Sequence, residues 1–406
     1  MEDAGTALSG NRDVCMLGGG NPARIPAVQS AFRDAMNALL EDGNRFDLLI
    51  GDYDGPQGNA AFIEAVADLL NQQHGWSISP NNIALTNGSQ SSFFVLFNIF
   101  AGLFEDGSRR RVLLPLVPEY IGYTEMGLGT EMFDTCRPII TLKGDHEFKY
   151  HIDFGKLVVG SHNGAICVSR PTNPTGNVLT NKEIALLQAL ALEHDLPFII
   201  DGAYGTPFPN IIFSEATPVW DQNIILCLSL SKLGLAGVRT GIVIANENVI
   251  KSITGSNAIL SLTPGSFGPG LVTRMVQDGS ILDIANNLIR PYYQERARIT
   301  MDWLKSALAD YPFRIHSPEG AFFLWLWFED IPISSETLYQ RLKQRDVLVI
   351  AGEHFFPGLT EDWPHSRECI RVSYALDPDV VQRGISIIAE EIKAAYALGA
   401  SSGRSL

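Results

Sequence analysis

The sequence predicts an α/β protein: a large domain with a mostly parallel sheet between helices, followed by a smaller α+β domain. Three observations predict it. Between about residues 50 and 280, short continuous apolar runs alternate with helical patterns. The runs are apolar at successive positions, as strands buried on both faces must be. After Ile289 the pattern changes, and aromatic strand-like segments alternate with polar helical ones. At 406 residues with 46% hydrophobic content, the chain is large enough for two domains.

The elements follow in order. Residues 1–45 are too short to fold alone and are expected to pack against the smaller domain. The large domain is expected over 46–288. Its strand candidates are Ile83–Thr86, Val112–Leu114, Ala165–Val168, Phe198–Ile200, Ile224–Leu228 and Ile242–Ile244. A helix is expected over Ser91–Phe104, opened by the turn Thr86-Asn87-Gly88-Ser89-Gln90. Thr180-Asn181-Lys182-Glu183 has the form of a capping box, in which Thr and Glu each satisfy an amide at the other's position. Ile184, Leu187 and Ala191 then recur at helical spacing, and His194-Asp195 close the segment before the strand at Phe198, which is half of a βαβ unit.

The smaller domain is expected over 289–406. Arg290-Pro291 interrupts the preceding pattern. A helix over Gln294–Leu308, a strand in Gly320–Trp327, a helix over Ser335–Arg345, strands at Val347–Ile350 and Ile370–Tyr374, and a helix over Pro378–Tyr396 complete it. The tail from Gly399 to Leu406 is expected to fray. There is no internal repeat.

The formal net charge of −15 and a pI near 5.0, with 30 Lys and Arg dispersed along the chain, argue against nucleic-acid and anionic-membrane partners. No apolar segment is long enough to span a bilayer, and Met1-Glu2-Asp3-Ala4 lacks an apolar signal region, so a cytoplasmic location is expected. The five cysteines are odd in number and never spaced Cys-x-x-Cys, so neither disulfides nor a metal site is expected. Cys167 and Cys227 sit inside apolar runs and read as buried small hydrophobes.

Candidate chemistry clusters at the ends of the strand candidates. Lys232 closes Leu228-Ser229-Leu230-Ser231-Lys232 after an apolar strand. Burial there favours the neutral amine, a nucleophile toward aldehydes, although a lysine after a strand can equally snorkel to the surface. Gly88 permits close backbone approach, and the amides of Ser89 and Gln90 at a helix N-terminus suit a phosphate; a plain βα turn would look the same. Asp201 ends the strand Phe198–Ile200, where side chains face the crevice of an open sheet; it can also be a helix cap. Tyr204 follows three residues on. Asn173 is held between Thr172 and Pro174 in a rigid turn and offers both a donor and an acceptor. Gly234 and Gly237 let the chain fold back, bringing Arg239 toward the anion that Ser229 and Ser231 would share. Each feature has a bland explanation alone. Together they match pyridoxal phosphate, which needs a lysine for its aldehyde, a carboxylate for its ring nitrogen, and donors for its phosphate and phenolic oxygen.

At this point the chain resembles the fold-type-I pyridoxal-phosphate-dependent aminotransferases, from Leu17 to the C-terminal helix, and within them the bacterial valine–pyruvate type. The resemblance is carried by Met16–Pro22, Tyr53-Asp54-Gly55-Pro56-Gln57-Gly58, Ala84–Ser91, Pro118-Glu119-Tyr120-Ile121-Gly122-Tyr123, Cys167–Val178, Pro207-Phe208-Pro209, Leu228–Leu235, Glu319–Trp327 and Phe355-Phe356-Pro357-Gly358. It implies Lys232 as Schiff-base lysine and proton shuttle, Asp201 on the pyridinium nitrogen, and Tyr204 and Asn173 on the phenolic oxygen. It implies Tyr120 stacked on the ring, and Gly88, Ser89, Gln90, Ser229, Ser231 and Arg239 around the phosphate. Tyr53 would reach the phosphate of a neighbouring subunit, giving a homodimer with composite sites. Arg371 would clamp the substrate carboxylate, with Asn173 and the Gly19-Gly20 backbone beside it. Ala236-Gly237-Val238 departs from the Pro-Gly that related enzymes often carry.

The expected reaction is amino transfer between a small aliphatic L-amino acid and a 2-oxo acid: valine/2-oxoisovalerate with pyruvate/alanine. No second arginine is marked for a side-chain carboxylate, since Arg290, Arg296 and Arg298 read as helix-surface charges, and the expected pocket walls Leu17, Ile25, Tyr120 and Phe355 are mainly apolar. Two alternatives use the same residues or fewer. One is β-elimination or decarboxylation of an amino acid on the same scaffold. The other is a non-catalytic, cofactor-binding regulator.

Overall fold

The computed structural model describes residues 14–402; the acidic start at Met1–Ala4 and the last residues of the tail lie outside them. The described strands are β1 Ile83–Thr86, β2 Gly102–Leu103, β3 Arg109–Leu114, β4 Phe133–Thr135, β5 Ile139–Lys143, β6 Glu147–His151 and β7 Asn163–Ser169. They continue with β8 Phe198–Asp201, β9 Ile224–Ser229, β10 Gly241–Ile244, β11 Phe313–His316, β12 Phe323–Phe328, β13 Ile350–Ala351 and β14 Cys369–Ser373.

Eight strands form one sheet in the order β1-β10-β9-β8-β7-β3-β2, with β4 beside β3. From β9 through β8, β7 and β3 to β4 the pairing is parallel; β10 runs antiparallel to both its neighbours, as does the short β2 to β3. The continuous apolar runs have the expected cause. Along β9, Ile224, Leu226 and Leu228 enter the core on one face while Ile225 and Cys227 enter that on the other. β7 divides the same way, with Ile166 and Val168 opposite Ala165 and Cys167. Each large side chain so buried contributes about 1.5–3 kcal/mol, and both faces must be covered. Helices Ala60–His74, Ser89–Phe100, Asn181–Glu193 and Glu247–Leu260 are among those that do so.

The local signals act as their chemistry requires. Thr180 Oγ1 accepts from the Glu183 amide while Glu183 Oε2 accepts from the Thr180 amide at 2.8 Å, a capping box opening Asn181–Glu193. The helix after β1 begins at Ser89 rather than Ser91 and stops at Phe100, with Gly88 at φ +88° as its N-cap.

The second sheet has the order β13-β14-β12-β11-β6-β5. Its hairpin β5–β6 comes from the middle of the chain, within 46–288, and β6 runs parallel to β11 through Ile315–Glu147 and His316–Phe148. Leading residues 14–17 add to the same sheet: Ser373 donates to Leu17 O and Leu348 to Cys15 O. Val347 forms only an isolated bridge with Cys15, so the strand expected at Val347–Ile350 reduces to Ile350–Ala351. Buried Lys149 on β6 donates to Asn177 Oδ1, to Val178 O and to Glu319, while Val178 N also donates to Glu319. This ion pair ties the hairpin to the β7 turn and to the β11–β12 turn.

Two expectations about side-chain placement fail here. Arg296 is not a helix-surface charge; it is 7% exposed and donates to Leu376 O at 2.7 Å. Tyr293, Arg296, Ala297, Thr300 and Leu304 form one buried stripe of helix Arg290–Ala307, so Arg296 follows the stripe. Arg298, off it, is exposed and pairs with Glu295 and Asp302. Leu17 is likewise fully enclosed in the core, against Gly384, rather than on a pocket wall. Among the described residues, no helix is long and apolar enough to cross a membrane.

Candidate active site

The carboxyl ends of β7, β8 and β9 lie side by side, in register at Ser169–Asp201 and Asp201–Cys227. That is the edge of an open α/β sheet where ligands bind. Asp201 ends β8 and is buried. Its Oδ1 accepts from the Ala203 amide and its Oδ2 from the Tyr123 hydroxyl, each at 2.9 Å. Burial holds its pKa above the usual carboxylate value, opposed in part by the two hydrogen bonds and by nearby Lys232.

Lys232 follows β9 in the short turn Ser231–Leu233. Its Nζ donates to Gly20 O at 2.8 Å and stands 5.4 Å from the Tyr204 ring centre and 5.5 Å from that of Phe322. Burial, reinforced by Arg371 and Arg239 and opposed by Asp201, brings its pKa down to about 8. Tyr204 is buried edge-on against Phe322.

Arg371 on β14 joins the second sheet to the first. Its Nη1 donates to Asn173 Oδ1 at 2.7 Å and its Nη2 to Gly18 O at 2.6 Å. The guanidinium lies 4.2 Å from the Phe323 ring centre and 5.4 Å from that of Phe355. Burial holds its pKa down at about 10, and its buried Nε has no hydrogen-bond partner. Gly18 cannot carry a side chain, because a Cβ there would meet Val349 O at 2.9 Å.

A second cluster forms where β1 turns into its helix. A Cβ on Gly88 would run into the Arg239 guanidinium, and one on Gly241 would lie 2.7 Å from both the Gly88 carbonyl carbon and the Ser89 nitrogen. Arg239, itself at φ +49°, donates to Ser231 Oγ at 3.4 Å, and the Ser231 amide donates to Ser229 Oγ at 3.1 Å. The first-turn amides of Ser89 and Gln90 lie where a helix leaves its donors without intrahelical acceptors. Tyr120, just before the turn Ile121–Glu125, donates from its hydroxyl to Gln90 Oε1 at 3.4 Å.

The expected residues therefore gather in two adjoining groups, Lys232, Asp201, Tyr204, Asn173, Arg371, Gly19 and Gly20 in one, and Gly88, Ser89, Gln90, Tyr120, Ser229, Ser231 and Arg239 in the other. Tyr53 stands apart: it is 82% exposed and lines a surface cavity with Leu48, Asp52 and Gly270. Sequence reasoning gave no separate role to Tyr123, Glu119, Phe322 or Gly241. Tyr123 had one available signal. It follows Tyr120 by three residues, and in a 3₁₀ turn such positions share a face.

These residues fit pyridoxal phosphate. A depressed amine suits its aldehyde, a buried carboxylate its ring nitrogen, and helix-start amides with serine and arginine donors its phosphate. The orphaned Nε of Arg371 leaves a buried cationic donor for a carboxylate.

The fold and this residue set are those of an aminotransferase, and the model of the family aminotransferase class I and II matches residues 17–388; the chain belongs to that family, whose members depend on pyridoxal phosphate. It is 50% identical to the valine–pyruvate aminotransferase of Escherichia coli over 98% of this chain and 95% of that one. The crystal structure of valine–pyruvate aminotransferase from Salmonella typhimurium superposes with a TM-score of 0.91 at 49% identity, covering 98% of this chain and 99% of that one. Aspartate aminotransferase from Thermus thermophilus with maleate shares the fold, at a TM-score of 0.77 and 18% identity over 96% of this chain and 94% of that one.

Proposed function

We propose that this enzyme moves an amino group between a small aliphatic L-amino acid and a 2-oxo acid, with valine/2-oxoisovalerate and alanine/pyruvate as its pairs. One observation carries the choice: half the residues, over nearly the whole chain, are shared with an enzyme named for valine and pyruvate. The surroundings of Arg371 agree with it, since the guanidinium is flanked by the rings of Phe323 and Phe355. β-Elimination, decarboxylation and a purely regulatory role have no observation in their favour.

Pyridoxal phosphate, when bound, supplies an aldehyde that condenses with amines and a ring that withdraws electron density from the carbon beside the nitrogen. The chain's own residues do the rest. Lys232 would hold the aldehyde through its Nζ, and as a free amine with a pKa of about 8 it would take the substrate's α-proton and give it up again. Asp201, an anion in a dry setting, holds a proton on the ring nitrogen. Tyr204 and Asn173 bond the phenolic oxygen, and Tyr120 covers the ring. Gly88, Ser89, Gln90, Ser229, Ser231 and Arg239 bind the phosphate. Arg371 orients the substrate through its carboxylate, with Asn173 and the Gly19-Gly20 backbone beside it. The cofactor side comes from a domain over 46–288. The carboxylate side comes from residues 1–45 and a smaller domain over 289–406. A cytoplasmic homodimer with composite sites completes the proposal, in which Tyr53 reaches the partner's phosphate; exposed Tyr53, Ile50, Leu48 and Leu262 supply apolar surface for the contact.

The test is a half-reaction panel. The cofactor-loaded enzyme is mixed with single amino acids, without a 2-oxo acid, and its visible absorption is followed. Alanine, valine and 2-aminobutyrate should each bleach it, stopping after one cofactor equivalent. A fast response to aspartate with none to alanine would overturn the substrate assignment, and continued turnover would overturn transamination.

A further inference from the structure

Behind Asp201 runs a buried chain of hydroxyls that ends on a second carboxylate. Glu119 follows β3, Ser169 ends β7, and Tyr123 lies in the turn Ile121–Glu125; all three are at most 3% exposed. Glu119 Oε1 accepts from the Ser169 amide at 2.9 Å, and Oε2 accepts from the Tyr120 amide at 3.1 Å. Oε2 also lies 2.6 Å from Ser169 Oγ, which lies 3.2 Å from the Tyr123 hydroxyl, which lies 2.9 Å from Asp201 Oδ2. Among the described residues no cation pairs with Glu119.

Counting protons along this chain separates two states. With Glu119 ionised, the single Ser169 hydroxyl proton turns to Glu119 and the Tyr123 proton to Asp201. The contact between Ser169 and Tyr123 then holds two oxygens and no proton. With Glu119 neutral, its own proton goes to Ser169, that of Ser169 to Tyr123, and that of Tyr123 to Asp201. Every contact is filled and all point one way. Each donor is strengthened by the bond it accepts, and one buried network avoids holding two adjacent carboxylate charges.

We propose that Glu119 is a positioning residue acting on Asp201 through Ser169 and Tyr123: neutral, it completes a one-way chain that keeps Asp201 an anion of low basicity; ionised, it breaks the chain and sets Asp201 to compete for the proton on the cofactor's ring nitrogen. This rests on the assignment of Asp201 to that nitrogen. Burial, opposed by the hydrogen bonds from Ser169 and from the Tyr120 amide and aided last by Asp201, brings the Glu119 pKa up to about 7. The other titratable groups facing the chain are Tyr120, Tyr204 beyond β8, Cys167 on β7, Cys227 on β9 and Lys232. Burial pushes the phenols and thiols above their usual ranges, so near neutrality only Glu119 and Lys232, at about 8, change charge.

The test loads the enzyme with pyridoxal phosphate carrying nitrogen-15 in its ring and follows the ring-nitrogen chemical shift from about pH 6 to about pH 9. In the wild type the shift should move toward that of neutral pyridine with a step near pH 7. Glu119→Gln, whose amide can donate to Ser169 as the acid does, should lose that step and stay at the acid-side shift. Tyr123→Phe should start displaced toward neutral pyridine and show no step; if the glutamine variant does not fold, this variant decides alone. Wild-type curves from these variants would overturn the proposal. Asp201→Asn keeps the two assignments apart. It should read as neutral pyridine throughout, and a pyridinium shift in that variant would instead sink the role of Asp201.

Discussion

At the scale of single residues, the site works by moving ordinary pKa values toward neutrality. Lys232 lies among Tyr204, Phe322, Arg371 and Arg239, so its charged form loses hydration and meets like charge. The neutral amine is the nucleophile. With a pKa brought down to about 8, its neutral fraction grows as pH rises toward 8 and saturates above. Apoprotein mixed with pyridoxal phosphate should therefore bind it covalently at a rate that climbs about tenfold per pH unit below that point and levels off beyond it. A rate still climbing tenfold per unit toward the usual lysine value of about 10.4 would show a solvated amine. Lys232, Asp201, Asn173 and Arg371 were legible in the sequence because each is a polar group where an apolar strand stops or, for Arg371, inside one. Glu119 and Phe322 were not, and Tyr123 only through its spacing from Tyr120, because what makes them part of the site is a neighbour tens or hundreds of residues away. Arg296 misled for a related reason: its charge outweighed its place on a buried helical stripe.

At the scale of elements, the turn from β1 into its helix depends on a strand far along the chain. β10 runs beside β1, and its first residue, Gly241, sits against Thr86 with no room for a methyl group between it and the Gly88–Ser89 backbone. Gly241→Ala should push that turn outward and raise the dissociation constant for pyridoxal phosphate by about tenfold or more, roughly 1.4 kcal/mol, measured by fluorescence titration. Gly237→Ala, with open space at its Cβ position, should leave the constant unchanged. The Gly88 turn, the capping box at Thr180 and the six strand candidates of the first sheet could all be seen in local pattern. The hairpin β5–β6 could not. Its strand Ile139–Lys143 is half-buried or exposed, and its partner β11 lies over 150 residues away.

At the scale of the molecule, the proposed dimer makes its own demand. Sedimentation should give twice 44.4 kDa. Tyr53→Phe should leave that mass unchanged and weaken pyridoxal phosphate binding about tenfold, as loss of a hydrogen bond to a charged group costs about 1.5–3 kcal/mol. Unchanged affinity would remove Tyr53 from the composite site.

The second sheet carries one more consequence. Because β5 and β6 are threaded into it from between β4 and β7, no single cut of the chain separates the two sheets into complete halves. A fragment beginning at residue 289 would present β11 as an open edge, its parallel neighbour left behind. A shuffling experiment that trades the smaller unit between relatives must therefore carry residues 139–151 with it. For this enzyme the natural unit of exchange is discontinuous, and recombination at one crossover would produce chimaeras with a broken sheet.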